Sequence, residues 1–146
     1  MQSASHTGLD TWLLRAGILL FLLGLLGGFM LPMMENPRMG LSSHLEGVMN
    51  GTFLVVLGLA WGRLSLGATA QKVLFGVVVY GAYANWLATQ LAGFWGAGAT
   101  MMPIAGGGMA GSDLQEGLIV FALISLSVGM ITACLITLWG LRGKDA

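Results

Sequence analysis

The sequence predicts an all-α integral membrane protein, a single domain forming a four-helix transmembrane bundle. Three observations predict it. Of 146 residues, 56% are hydrophobic and only 8% are charged. Soluble domains carry roughly 25% charged residues, so this chain cannot cover a water-facing surface. Four apolar stretches recur at about 12–33, 44–61, 73–95 and 114–139, each near the ~20 residues that cross ~30 Å of hydrocarbon as a helix. The 24 glycines suit close helix contact in lipid, where small residues let backbones approach. Formal net charge is zero, so no basic surface points to nucleic acid. The single cysteine, Cys134, excludes an intrachain disulfide and sits mid-helix as a small hydrophobe.

The first span is nearly all Leu, Ile, Phe and Gly, with Arg15 placed to snorkel to the interface. It lacks the basic start and small-residue cleavage site of a signal peptide, so it reads as a helix that supplies packing and a lipid face. Asn36-Pro37 and Gly40 read as a turn, after which Ser42 or Ser43 caps the second span. That span opens with His44, Glu46 and Asn50, separated by Gly47 and Gly51. Polar side chains in a membrane helix are costly unless paired or functional.

On a helical wheel His44, Gly47, Gly51 and Gly58 fall within about 100° of one another. Such a face is either a helix-packing seam or a flat floor for a macrocycle with His44 as axial ligand. Asn50 lies about 120° from His44 around the axis and ~9 Å along it, with Glu46 on the Asn50 side. One monomer pocket cannot easily use both His44 and Asn50, whereas a site between subunits could.

The third span is the most polar. Tyr80, Tyr83, Trp86 and Gln90 share one broad side, and Asn85 and Thr89 another. Interhelical hydrogen bonding alone accounts for a lone Asn. Two tyrosines, two amides and a Trp within eleven residues also suit a pocket for a small polar aromatic. Residues 96–111 form a Gly- and Met-rich loop without the strand-before, helix-after context of a dinucleotide fingerprint. It reads as a lid over one mouth of the bundle, or as a disordered linker. Ser112 or Asp113 caps the last span, with Glu116 in its favoured first turn. The hydroxyls of Ser125, Ser127, Thr132 and Thr137 need no partner beyond their own backbone.

Arg15, Arg63, Lys72, Arg142 and Lys144 fall on one side of the four spans and Arg38 on the other. The positive-inside rule therefore puts both termini in the cytoplasm. Trp12, Trp61, Trp95 and Trp139 sit near span ends and read as interface anchors.

The stretch N-P-R-M-G-L-S-S-H-L-E-G-V-M-N-G at 36–51, followed by the Y-A-N-W third span, resembles the hydroxylaminobenzene mutases, small bacterial membrane enzymes. More distantly, the chain is similar to the styrene oxide isomerases. They share H-x-x-G-x-x-N, met by His44, Gly47 and Asn50, and an Asn in the third helix, met by Asn85. The resemblance implies a homotrimer in the bacterial inner membrane with haem b between subunits. His44 would be the axial ligand, and ferric iron would act as Lewis acid on a substrate oxygen. The implied reaction converts hydroxylaminobenzene to 2-aminophenol, with Asn50 and Asn85 orienting substrate and Tyr80, Tyr83, Trp86 and Thr89 lining the pocket. Glu46 would accept the proton, or pair with Arg38. One departure stands out: the isomerases carry a functional Tyr one turn after the third-span Asn, where this chain has Thr89.

Two other function classes fit the composition. A haem or quinone subunit of a respiratory assembly usually carries paired His ligands, and the second histidine here, His6, is in the N-terminal tail. An exporter of aromatic cations would use Glu46 for proton coupling, but such sites usually lie at the midplane.

Overall fold

The computed structural model describes residues 8–143; His6 and Lys144 lie outside them. Every regular element among the described residues is helical: α1 (Leu9–Phe29), α2 (Pro37–Ala60), α3 (Ala68–Trp95), the single turn α4 (Pro103–Gly106) and α5 (Asp113–Gly140). Short 3-10 turns, Leu31–Met33 and Trp61–Arg63, follow α1 and α2. The helices α1, α2 and α5 are long and apolar enough to cross a membrane. At 28 residues α3 matches α5 in length, but its tyrosines, amides and threonine keep it outside that group.

The start of α2 differs from the sequence expectation. Neither Ser42 nor Ser43 caps it; Asn36 does, its Oδ1 accepting from the Arg38 and Met39 backbone N–H groups. Pro37 follows at the first helical position, where its missing N–H costs nothing. What reads as a turn is thus a cap and a helix start, and His44 sits about 10 Å inside the helix rather than at its mouth. Ser42 bonds back to the Arg38 carbonyl, while Ser43 is fully buried. At α5 the expectation holds: Ser112 caps in a reciprocal box with Gln115.

Consecutive long helices pack on one another, α1 on α2, α2 on α3 and α3 on α5. The tightest seam joins α1 to α2 through Gly17, Gly24, Gly47 and Gly51. A methyl group at Gly51 would stand 2.6 Å from the Phe21 nitrogen, and one at Gly24 would stand 2.7 Å from the Val48 nitrogen. Each glycine costs about 1 kcal/mol of helix propensity relative to alanine. The close approach uses that space for backbone-to-backbone packing. Around the seam, Leu13, Leu20, Leu54, Leu57, Leu74 and Val78 form the buried core. Trp61 belongs to this core at 5% exposure; it is not an interface anchor, because the turn after α2 folds it inward. Trp12 and Trp139 are exposed, each carrying an arginine over its ring, Arg15 and Arg142.

Contacts also sort the ends of the bundle. Ser65 donates its N–H to the Gly140 carbonyl, and Gly58 abuts Asp10 and Leu13. Arg15, Arg63 and Arg142 therefore share one end. At the other end, residues 96–111 are not a free linker. Glu116 Oε1 accepts from the backbone N–H groups of Gly98, Ala99 and Gly111, and Oε2 from that of Thr100. Asn36 Nδ2 donates to the Ala105 and Gly106 carbonyls. The loop is thereby strapped to both α2 and α5. The α5 hydroxyls bond back to their own helix, as their spacing predicts.

Candidate active site

Two polar features occupy different sides of α2. His44 turns toward α1, where its Nδ1 lies 2.9 Å from the Gly24 carbonyl oxygen. A carbonyl only accepts, so Nδ1 is the donor of this bond. Nε2 has no hydrogen-bond partner among the described residues. The imidazole lines an apolar groove of about 480 Å³ with Leu25, Gly28, Phe29, Leu31 and Leu41. Gly28 makes room for the ring: a methyl there would stand 2.9 Å from Nδ1. An imidazole anchored through one nitrogen to a backbone carbonyl, with the other nitrogen bare over apolar walls, is the donor set of an axial metal ligand. His44 therefore fits the haem that the sequence resemblance implies.

Gly47 and Gly51 do not supply a floor for that group. Both are buried against α1 backbone in the seam described above. The packing reading of this face is the one the structure bears out, because α1 already fills the space a macrocycle would need.

Glu46, Asn50 and Asn85 form the second feature, between α2 and α3. Glu46 Oε2 accepts from Asn50 Nδ2 at 2.9 Å and from Asn85 Nδ2 at 2.6 Å. The first pair is one helical turn apart on α2, and the second crosses to α3. Arg38 instead reaches toward Gly107 of the loop, so the partners of Glu46 are the two amides. All three residues are half-buried, beside the exposed Leu45 and Met49.

The remaining third-span residues disperse. Tyr83 donates its hydroxyl to the Ala16 carbonyl on α1, 2.8 Å away. Tyr80 is paired with Ser125 on α5, 2.6 Å away. Trp86 lies over Gly47, its Nε1 buried without a partner among the described residues. Thr89 is buried and bonds back to the Asn85 and Trp86 carbonyls. In a single chain these four side chains part ways, Tyr83 to α1, Tyr80 to α5, Trp86 to α2 and Thr89 to its own helix.

Sequence reasoning missed the contribution of α1. Gly24 and Gly28 hold the imidazole, yet the first span reads as packing alone. Their one-turn spacing, with Gly17 two turns before Gly24, was the available signal. It also missed the buried pair in which Ser43 donates to Gln90 Oε1, a polar tie between α2 and α3.

The chain is 68% identical over 134 residues to "Hydroxylaminobenzene mutase HabB" of Ectopseudomonas oleovorans, covering 92% of this chain and 82% of that protein. It is 44% identical over 133 residues to "Hydroxylaminobenzene mutase HabA" of the same organism, covering 91% of this chain and 98% of that protein. No solved structure matches it. The family model "Styrene oxide isomerase" matches residues 9–142, nearly the whole described chain. With that match over nearly all of its described length, the chain belongs to the styrene oxide isomerase family.

Proposed function

We propose that this chain is a mutase that rearranges hydroxylaminobenzene to 2-aminophenol. The observation that carries the reading is the 68% identity to a protein named for that substrate. The reaction is an isomerisation: the N–O bond breaks, a C–O bond forms at the ortho carbon, and the ring proton at that carbon is lost as a proton returns to nitrogen. Positive charge spreads over nitrogen and ring once the N–O bond breaks, and open water would trap it largely at the para position. Ortho delivery needs the oxygen held beside the ring in a dry site, a task of positioning and water exclusion.

In this reading His44 would hold haem b through Nε2, with the Gly24 carbonyl fixing the imidazole and Leu25, Phe29 and Leu41 as apolar walls. A ferric haem there would supply Lewis acidity toward the hydroxylamine oxygen. Asn50 and Asn85 orient the substrate. Glu46, with Oε1 unpartnered among the described residues, takes the ring proton.

Two arguments support a site between subunits of a homotrimer. His44 and the Glu46–Asn50–Asn85 cluster face away from each other around α2. A half-buried carboxylate on a hydrocarbon-facing surface is costly, and a neighbouring subunit would cover it. The apolar outer stripe of α5, with Leu114, Phe121, Val128 and Leu135 all exposed, suits lipid. As the long helix packed between α2 and α5, α3 crosses the inner membrane with them.

Detergent-purified protein incubated with hydroxylaminobenzene is expected to yield 2-aminophenol as the main product by chromatography. Predominant 4-aminophenol, or no turnover, would overturn the assignment. A reporter fused after Ala146 tests the topology: it is expected to work only as a cytoplasmic reporter, because basic residues gather at that end of the bundle. Periplasmic activity there would mean that α3 does not span.

A further inference from the structure

We propose that Glu46, beyond taking the ring proton, fixes the two asparagines so that the site reads hydrogen-bond donors, selecting aryl hydroxylamines over aryl epoxides. The proposal rests on the mutase reading and names the feature of the substrate that the site recognises. It begins with the shared oxygen: Glu46 Oε2 receives one N–H from Asn50 and one from Asn85. Because Oε2 accepts from both, each amide turns its NH2 group toward the Glu46 carboxyl group. Each Asn carbonyl oxygen is thereby turned away from the carboxylate. Neither Asn Oδ1, nor Glu46 Oε1, has a hydrogen-bond partner among the described residues. Three uncommitted acceptor oxygens then face two remaining amide hydrogens.

Free asparagines could flip to offer NH2 to whatever arrives. Here one carboxyl oxygen, Oε2, accepts from two amides at once, one on each helix, so a flip of either would set a carbonyl oxygen against an oxygen already accepting from the other. Hydroxylaminobenzene brings two donors, N–H and O–H. An aryl epoxide brings none and offers only an acceptor oxygen. A site built to hydrogen-bond a substrate group rejects the analogue lacking it, because the site's own polar atoms are left unpaired.

The test uses inert isosteres of hydroxylaminobenzene and the full-length protein in detergent. Benzyl alcohol keeps the O–H and replaces N–H with methylene; N-methylaniline keeps the N–H and replaces O–H with methyl. Styrene oxide is the acceptor-only probe. Binding is read from tryptophan fluorescence with each ligand's free concentration corrected for its measured partitioning into detergent, and each preference is compared between native and variant protein. Native protein is expected to bind both donor isosteres at least ~10-fold tighter than styrene oxide, the scale set by an unpaired polar group. In Glu46→Leu the amides are free to turn, so the preference falls at least ~5-fold and styrene oxide binds more tightly than to native protein. General damage to the site would weaken every ligand and could not produce that gain.

Glu46→Gln, which offers one acceptor in place of two, should give an intermediate ratio and serves if the leucine variant does not assemble. The proposal is overturned if native protein prefers styrene oxide, or if an assembled variant keeps the native ratio. Turnover of hydroxylaminobenzene is measured separately on native protein. Its absence would remove the mutase reading, whereas the binding ratios decide the donor-reading site on their own.

Discussion

His44→Ala is expected to give assembled protein that has lost its haem and at least ~100-fold of its activity, the scale seen when a preorganised electrostatic contributor is removed. The cost to folding should be small. The imidazole is half-buried, and its one hydrogen bond is to a carbonyl inside α1 that is also an acceptor within the helix. Losing the ring therefore leaves no orphaned backbone group. The apolar groove around it, with Leu25, Phe29 and Leu41, keeps its walls. The measurement is an absorption spectrum of the native and variant proteins at equal concentration, with size exclusion to verify assembly. A Soret band is expected in the native protein and not in the variant. A variant with an unshifted Soret band and full turnover would show that His44 is not the axial ligand. Native protein without a Soret band that still forms 2-aminophenol would mean a mutase that works without haem, leaving His44 as a tie between α1 and α2.

The helices were legible because their signals are local. Apolar runs of membrane-spanning length, the Ser112–Gln115 capping box and the backbone-bonded hydroxyls of α5 depend only on near neighbours in sequence. The start of α2 was misread for the same reason. Asn36-Pro37 fits a turn and equally fits a cap followed by a first-position proline, and the bonds from Asn36 Oδ1 to the Arg38 and Met39 N–H groups decide for the cap. For the site, the helical period separated His44 from Asn50 and Glu46, and the structure keeps them on opposite sides of α2. Period alone could not say which neighbour each face meets. Gly47 and Gly51 look equally suited to α1 or to a flat ligand until α1 is seen against them. Tyr80 and Tyr83 share a broad side on the wheel, yet α5 takes one hydroxyl and α1 the other. The contact of Asn85 with Glu46 spans 39 residues of sequence, beyond the reach of any spacing argument.

Co-expression of inactive His44→Ala and inactive Asn50→Ala chains is expected to restore activity that neither chain shows alone. The expectation follows from the geometry of α2. His44 is held against α1 by the Gly24 carbonyl, while Asn50 is held against Glu46 and Asn85 on the α3 side. Neither side chain can swing to the other face without breaking its bond and crossing the helix. If both serve one substrate, the His44 of one subunit must meet the Asn50 of the next. In a closed ring each such interface is heterologous, and random mixing of two chains in equal amounts leaves about a quarter of interfaces with both residues intact. Activity near a quarter of native is therefore expected, and it should vary with the ratio of the two chains. Each variant must assemble alone, which size exclusion in detergent establishes, and differently tagged chains purified in tandem verify that mixed oligomers form. A site built within one chain predicts no rescue at any ratio, because every chain carries a lesion. Verified mixed oligomers without activity would sink the shared site and leave Asn50 as a hydrogen-bonding tie of the α2–α3 cluster.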